Sequence, residues 1–254
     1  MHLRPLLRLI ALSAAVTSAL ASSTDSISSA PTHLPFSEYH FVRLAYTADD
    51  GGFGRRDRWL TDWPEAEQHL LEGVRRLSRI NTDPEGRQIE IMDPALFDQP
   101  WIYAVEVGGW SLSDEEAARL REYLLRGGFL MVDDFHGTRE WEVFTAGMRK
   151  IFPDRQIVDI PVRDSIFHIA FDLDEKLQIP GTAALSRGVT YEYDGYSPHY
   201  RGVYDDSGRV MVMINFNMDL GDSWEHADNP QYPVHYTVSG YQYTINYILY
   251  AMTH

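Results

Sequence analysis

His40-Phe-Val-Arg-Leu-Ala-Tyr46 alternates in character and carries β-formers, so its pattern predicts a strand. From Ala66 the apolar positions change period, and Leu70, Val74, Leu77 and Ile80 recur at helical spacing behind Pro64, where a helix can begin. A short extended run over Gln88–Met92 and a stronger one over Trp101-Ile-Tyr-Ala-Val-Glu-Val107 follow, the second ending at Gly108-Gly109. Ser113-Asp-Glu-Glu116 is a capping box opening a helix through Leu120 and Leu124, and Gly127-Gly128 stops it where a left-handed residue is tolerated. Phe129-Leu-Met-Val132 is continuously apolar, as a strand covered on both faces must be, and it leads straight into Asp133-Asp134. Arg139 to Phe152 returns to helical spacing through Trp141, Phe144, Met148 and Ile151 until Pro153, and Gln156–Ile160 predicts another short strand.

Strand and helix alternate from Phe41 to Ile160, which argues a three-layer α/β fold on a mostly parallel sheet. Right-handed crossovers then bring the loops at the carboxyl ends of the strands to one edge. The second half differs in texture: of 15 tyrosines, 11 lie between Tyr191 and Tyr250. Gly202-Val-Tyr204 and Arg209–Phe216 flank Asp205-Asp-Ser-Gly208, which predicts an added β-hairpin, and Ile245, Ile248, Leu249 and Met252 mark a C-terminal helix. No repeat or interior linker interrupts this run, so residues 39–254 are expected to form a single α/β domain.

Ahead of it, Arg4 and Arg8 precede a short apolar stretch over Leu9–Leu20, and Ala19-Leu-Ala21 supplies small residues at a cleavage site. Residues 1–21 therefore read as a signal peptide, Ser22 as the mature N-terminus, and the Ser-rich segment 22–38 as a disordered spacer. The expected location is exported, periplasmic or secreted, with no transmembrane segment in the mature chain. Asp49 and Asp50 through Gly51, Gly52 and Gly54 to Arg58 have the composition of a mobile loop.

Charge narrows the ligands. The formal net charge is −15, and loss of Arg4 and Arg8 with the leader makes it −17, with 37 acidic residues against 20 basic. Such a field repels phosphate backbones, so no nucleic-acid partner is expected; a small neutral ligand or an envelope protein fits better, as does a bridging metal. The absence of cysteine excludes disulfides, thiolate catalysis and thiolate metal sites. No nucleotide-cofactor motif, phosphate loop, zincin helix or Gly-x-Ser-x-Gly elbow is present.

Two places can carry chemistry. Asp133, Asp134 and His136 leave a buried strand at its carboxyl end, where open α/β sheets bind ligands; either aspartate could instead cap a helix. Asn217–His226 contributes Asp219, Asp222 and Glu225 for a hard divalent cation or a hydroxylated ligand, with Trp224 as a flat wall; the alternative is a solvated turn. His168 sits in the apolar stretch Ile166-Phe-His-Ile169 and becomes a base or ligand only if it lies near Asp133. Arg43 and Tyr46 on the first strand are further candidates for ligand contact, although a buried arginine more often makes a structural ion pair. The tyrosine-rich half reads as core, with a sugar-stacking surface as the alternative.

Phe41-Val-Arg-Leu-Ala-Tyr46, Asp62-Trp-Pro64, Asp93-Pro-Ala-Leu-Phe97, Leu124–Leu130 continuing to Asp133-Asp134, Phe152-Pro153, Ile166-Phe-His168, Asp219–Glu225 and Asn246–Ala251 together resemble the bacterial DUF4159 family, a domain of unknown function. The resemblance implies a class I glutamine amidotransferase-like (flavodoxin-like) fold, akin to trehalose-utilisation-like proteins. It places Asp133, or Asp134, on the turn where amidotransferases carry their cysteine, which argues for the site and against the namesake reaction. Two functions are therefore expected as alternatives. One is a ligand- or partner-binding module of the envelope; the other is a hydrolase or lyase on a neutral ligand such as a saccharide, using Asp133, Asp134 and His168.

Overall fold

A computed structural model describes residues 37–48 and 57–254. The leader, almost all of the spacer and the glycine-rich stretch at 49–56 lie outside the described residues. The first half builds β1 (Val42–Ala45), α1 (Glu65–Leu77), β2 (Arg87–Glu90), β3 (Trp101–Val105), α2 (Asp114–Leu125), β4 (Phe129–Asp133) and α3 (Gly137–Ile151). The second half adds β5 (Val158–Asp159), α4 (Thr182–Ser186), β6 (His199–Tyr204), β7 (Val210–Phe216), α5 (Leu220–Glu225) and α6 (Val234–Thr253).

The strands form one seven-stranded sheet in the order β2-β1-β3-β4-β7-β6-β5. β2, β1, β3, β4 and β7 are parallel, whereas β6 runs antiparallel to both β7 and β5. The chain steps outward from β1 to β2, then returns to the other side of β1 for β3, so loops diverge at a topological switch point between β1 and β3. The expected hairpin is β6–β7, closed at Asp205–Gly208 with Gly208 at φ +85°. The strand expected over Gln156–Ile160 shrinks to two residues and pairs only with the antiparallel β6.

Alternation along the central strands divides the core into two layers. Trp101, Tyr103, Phe129 and Met131 pack with α1 and α6 residues such as Leu70, Val74, Tyr243 and Tyr247. Ile102, Ala104, Leu130 and Val132 pack with Leu120, Leu124, Phe144 and Met148 of α2 and α3. The apolar run at Phe129–Val132 is thus covered on both faces, as its composition requires. The Ser113 capping box is formed: its hydroxyl accepts the Glu116 amide, and the Glu116 carboxylate accepts the Ser113 amide. Most tyrosines of the second half, including Tyr200, Tyr243, Tyr247 and Tyr250, are core.

One segment departs from expectation. Asn217–His226 is not an open acidic loop, because Leu220–Glu225 forms the short helix α5, with Leu220 and Trp224 fully buried. Asp219 caps it by accepting the Asp222 amide at 2.8 Å. No described helix is long and apolar enough to cross a membrane.

Candidate active or metal-binding site

The carboxyl edge of the parallel strands collects acid. Asp133 ends β4, Glu106 follows β3, Asn217 follows β7, and Asp62 lies on the connection from β1 to α1. Four residues of this edge hold left-handed backbone: Asp62 at φ +64°, Glu106 at +54°, Asp134 at +51° and Asn217 at +63°. Asn and Asp tolerate that region through local hydrogen bonds, whereas Glu does so at greater cost.

Arg43 explains how Asp62 is placed. Its guanidinium, fully buried, pairs with Glu67 of α1 and donates to the backbone carbonyls of Trp59 (2.9 Å) and Thr61. It also stacks 5.3 Å from the Tyr103 ring centre. The β1–α1 connection is therefore tied to the sheet immediately before Asp62. Burial and the surrounding acids Asp134, Asp222 and Glu225 push the Asp62 carboxyl well above the ordinary range, and Arg43 only partly opposes them.

Asp133 and Asp134 take separate roles, as adjacent residues leaving a strand must. Asp133 is fully buried, and its Oδ2 accepts the amides of Leu220 (2.7 Å) and Gly221 (3.0 Å) and the Tyr103 hydroxyl (3.3 Å). It is the clamp that holds α5 on the end of β4. Burial still pushes its carboxyl up to about 7, against the lowering effect of those amides. Asp134 turns the other way, and its Oδ1 lies 3.2 Å from His136 Nε2. Burial and the charges of Glu106, Asp133 and Asp222 raise it well above normal.

Asp62, Asp134 and Asp219 converge: each offers a carboxylate oxygen, and these lie within 4.8 Å of one another. Asp62 Oδ2 is sealed from solvent and has no hydrogen-bond partner, and the same holds for Asp133 Oδ1 and His136 Nδ1. Burial, followed by repulsion from Asp134, Asp222 and Asp62, raises Asp219 as well. Two glycines make the approach feasible. A Cβ at Gly221 would sit 2.7 Å from Asp62 Oδ2, and one at Gly181 would sit 2.6 Å from Asp219 Oδ2. Three mutually repelling carboxylates, largely withdrawn from water, hold protons or a cation; hard divalent ions with oxygen ligands match this donor set.

A second group, Asp222, Glu225 and His226, also gathers within 4.8 Å. Its members are paired internally, with His226 Nε2 at 3.2 Å from Glu225 and 3.6 Å from Asp222. Asp222 Oδ2 additionally accepts the Thr182 amide and hydroxyl.

Four expected contacts make other partners than the cluster. His168 ends the short turn Ser165–Phe167, which lies beyond the edge strand β5, and its contacts are local. Its Nδ1 meets Asp172 at 3.0 Å and its Nε2 meets the Val162 carbonyl at 2.8 Å, contacts that raise its pKa. Trp224 faces inward instead of walling the acidic residues, because α5 turns it onto Tyr103 (5.5 Å between rings) and Phe41. Tyr46 is buried, and its hydroxyl donates to the carbonyls of Val105 and Glu106, tying the end of β1 to that of β3. Arg43 is the structural ion pair just described rather than a ligand contact.

Asp62, Glu106 and Glu140 escape the sequence reading. Glu140, in the first turn of α3, accepts the His136 amide at 2.7 Å, and Arg58 joins Glu106 (2.6 Å) to Glu140 (3.8 Å). The one signal that bears on Asp62 is its place in the Asp62-Trp-Pro64 element, which carries the family resemblance without pointing to chemistry.

No curated protein matches the chain. Residues 40–252 match the family described as Domain of unknown function (DUF4159), nearly the whole α/β domain, and the chain belongs to that family.

Proposed function

We propose that the protein is a divalent-cation-dependent binding module, in which Asp62, Asp134 and Asp219 hold a hard cation at the carboxyl edge of the sheet. One observation carries this reading: three carboxylate oxygens lie within 4.8 Å, one of them on Asp62, whose Oδ2 is sealed from solvent without a partner. A cation would offset the burial and the mutual repulsion that raise all three groups. Three protein ligands leave coordination positions open, and a neutral ligand could fill them with hydroxyl or carbonyl oxygens. Calorimetric titration of the full chain with Mn²⁺ tests it: one ion should bind, and Asp62→Asn should weaken it by about tenfold or more. Equal affinity in the variant would refute the assignment.

The strand order supports a class I amidotransferase-like variant of the flavodoxin-like fold, since the five parallel strands follow 2-1-3-4-5 when counted along the chain. On that reading the left-handed turn residue Asp134, rather than Asp133, stands at the nucleophile elbow. Export to the envelope, with cleavage after Ala21, is supported by the charged and apolar leader.

The hydrolase alternative is favoured by a single contact. His136, not His168, sets an imidazole beside the cluster, 3.2 Å from Asp134.

A further inference from the structure

Next to the cluster the segment from Arg187 to Ser197 forms a lip over the start of α3, and several contacts fix it. The Asp194 carboxylate accepts the Thr138 amide at 2.8 Å as well as its hydroxyl. Gln178 donates to the Gly195 carbonyl at 2.9 Å, and Asn217 donates to that of Ser197 at 2.8 Å. The lip is nonetheless where the tyrosines are exposed: Tyr193 is 72% and Tyr196 66% accessible, while the Tyr191 ring meets that of Tyr196 edge to face at 4.7 Å. Tyr193 stands on left-handed backbone at φ +48°, beside Gly137 at the start of α3. Large aromatic rings held outward on a fixed backbone offer a contact face whose ordering cost is already met.

A hollow of about 440 Å³ lies under this lip, lined by Arg187, Val189, Tyr191, Glu192 and Tyr193. Its polar groups come largely as opposed charges. Arg187 is 3.9 Å from Glu192, and toward the cluster Arg58 links Glu106 and Glu140. The Arg187–Glu192 pair cancels in charge, and a guanidinium and a carboxylate each have more hydrogen-bonding positions than one ion pair uses. They suit a ligand that is neutral and rich in hydroxyls, and they favour neither an anion nor a cation.

We propose that this tyrosine lip and the hollow beneath it bind a neutral oligosaccharide, with a pyranose ring stacked by its C–H face on Tyr193 or Tyr196 and hydroxyls reaching the paired charges. This rests on the cation reading only for a further contact: a vicinal diol of the same glycan completes the coordination of the ion at Asp62, Asp134 and Asp219.

The two ideas separate in one calorimetric experiment on the full chain. Mn²⁺ is titrated first, then cellotetraose, maltotetraose and chitotetraose, each with Mn²⁺ or with EDTA, into wild type and Tyr193→Ala/Tyr196→Ala. The substituted rings are exposed, so the double variant should fold and bind Mn²⁺ as wild type does. At least one tetrasaccharide should bind wild type, about tenfold or more weaker in the double variant and weaker again with EDTA. Ring-dependent sugar binding without Mn²⁺ binding would keep the glycan site and remove the ion. Mn²⁺ binding with no response to any of the three sugars, or with equal sugar affinity in the double variant, would overturn the glycan proposal and leave the cation reading standing.

Discussion

The Oδ2 atom of Asp133 accepts the backbone amide of Leu220 at 2.7 Å, across 87 positions of sequence. With the Gly221 amide on the same atom, this contact fixes α5, and therefore Asp219 and Asp222, against the end of the central strand. Asp133→Ala strands two buried amides and should cost about 2–4 kcal/mol in urea unfolding. Asp133→Asn keeps an acceptor and removes a charge that burial disfavours, so its cost should be clearly smaller. Equal losses in the two variants would show that Asp133 does not act as the clamp on α5.

Gly221 admits the second test. A methyl group there would meet Asp62 Oδ2 at 2.7 Å and the Tyr103 hydroxyl at 3.1 Å. Gly221→Ala should displace Asp62 and weaken Mn²⁺ by about tenfold, while Gly208→Ala, on the distant hairpin, should leave Mn²⁺ affinity unchanged.

Stability should respond to pH in an unusual direction. Asp62, Asp133, Asp134 and Asp219 all have raised pKa values in the folded chain, Asp133 at about 7 against an ordinary 3.8. Between those values the folded state retains protons that the unfolded state has lost, so stability falls as pH rises through the window. Carboxylates with lowered pKa, such as Asp154 at about 2, act below that window. In EDTA, urea unfolding should show a more stable protein at pH 5 than at pH 7.5, and Mn²⁺ should reduce or reverse the difference. A protein that gains stability from pH 5 to 7.5 in EDTA would contradict the buried acidic cluster.

Arg43 and Glu67 form a buried pair, so removing either alone leaves a charge without its partner. Arg43→Met should destabilise by about 3–5 kcal/mol, and Arg43→Met/Glu67→Met by less than that single change. The double variant should still bind Mn²⁺ more weakly, because Trp59 and Thr61 lose the donor that tethers the segment before Asp62. Unchanged affinity would mean that Asp62 is placed without Arg43.

Local signals in the chain carry much of this architecture. The apolar run Phe129–Val132, the Ser113–Glu116 box and the turn ending in Gly208 each act over a few residues, and each predicts its element. Asp133, Asp134, Asp219 and Asp222 also reach one edge, as the central position of β4 implies. α5 is hard to see because Asp219-Leu-Gly-Asp222 has the composition of a turn: Asp219 caps the helix locally, but its first two amides are held by a carboxylate distant in sequence. Asp62 was hidden for a related reason: a left-handed residue outside any periodic run gives no pattern, and its place depends on an arginine 19 positions earlier. His168 gives no such signal either: it ends the short turn Ser165–Phe167 beyond the edge strand β5, and where that turn lies depends on contacts distant in sequence, not on the apolar stretch around it.

A cation held by Asp62, Asp134 and Asp219 would be visible crystallographically. Anomalous diffraction from crystals soaked in Mn²⁺ measures it most directly. One strong peak is expected about 2.0–2.6 Å from an oxygen of each of the three carboxylates, lost in Asp62→Asn. A map with no peak among them, or with the ion held by Asp222, Glu225 and His226 alone, would contradict it.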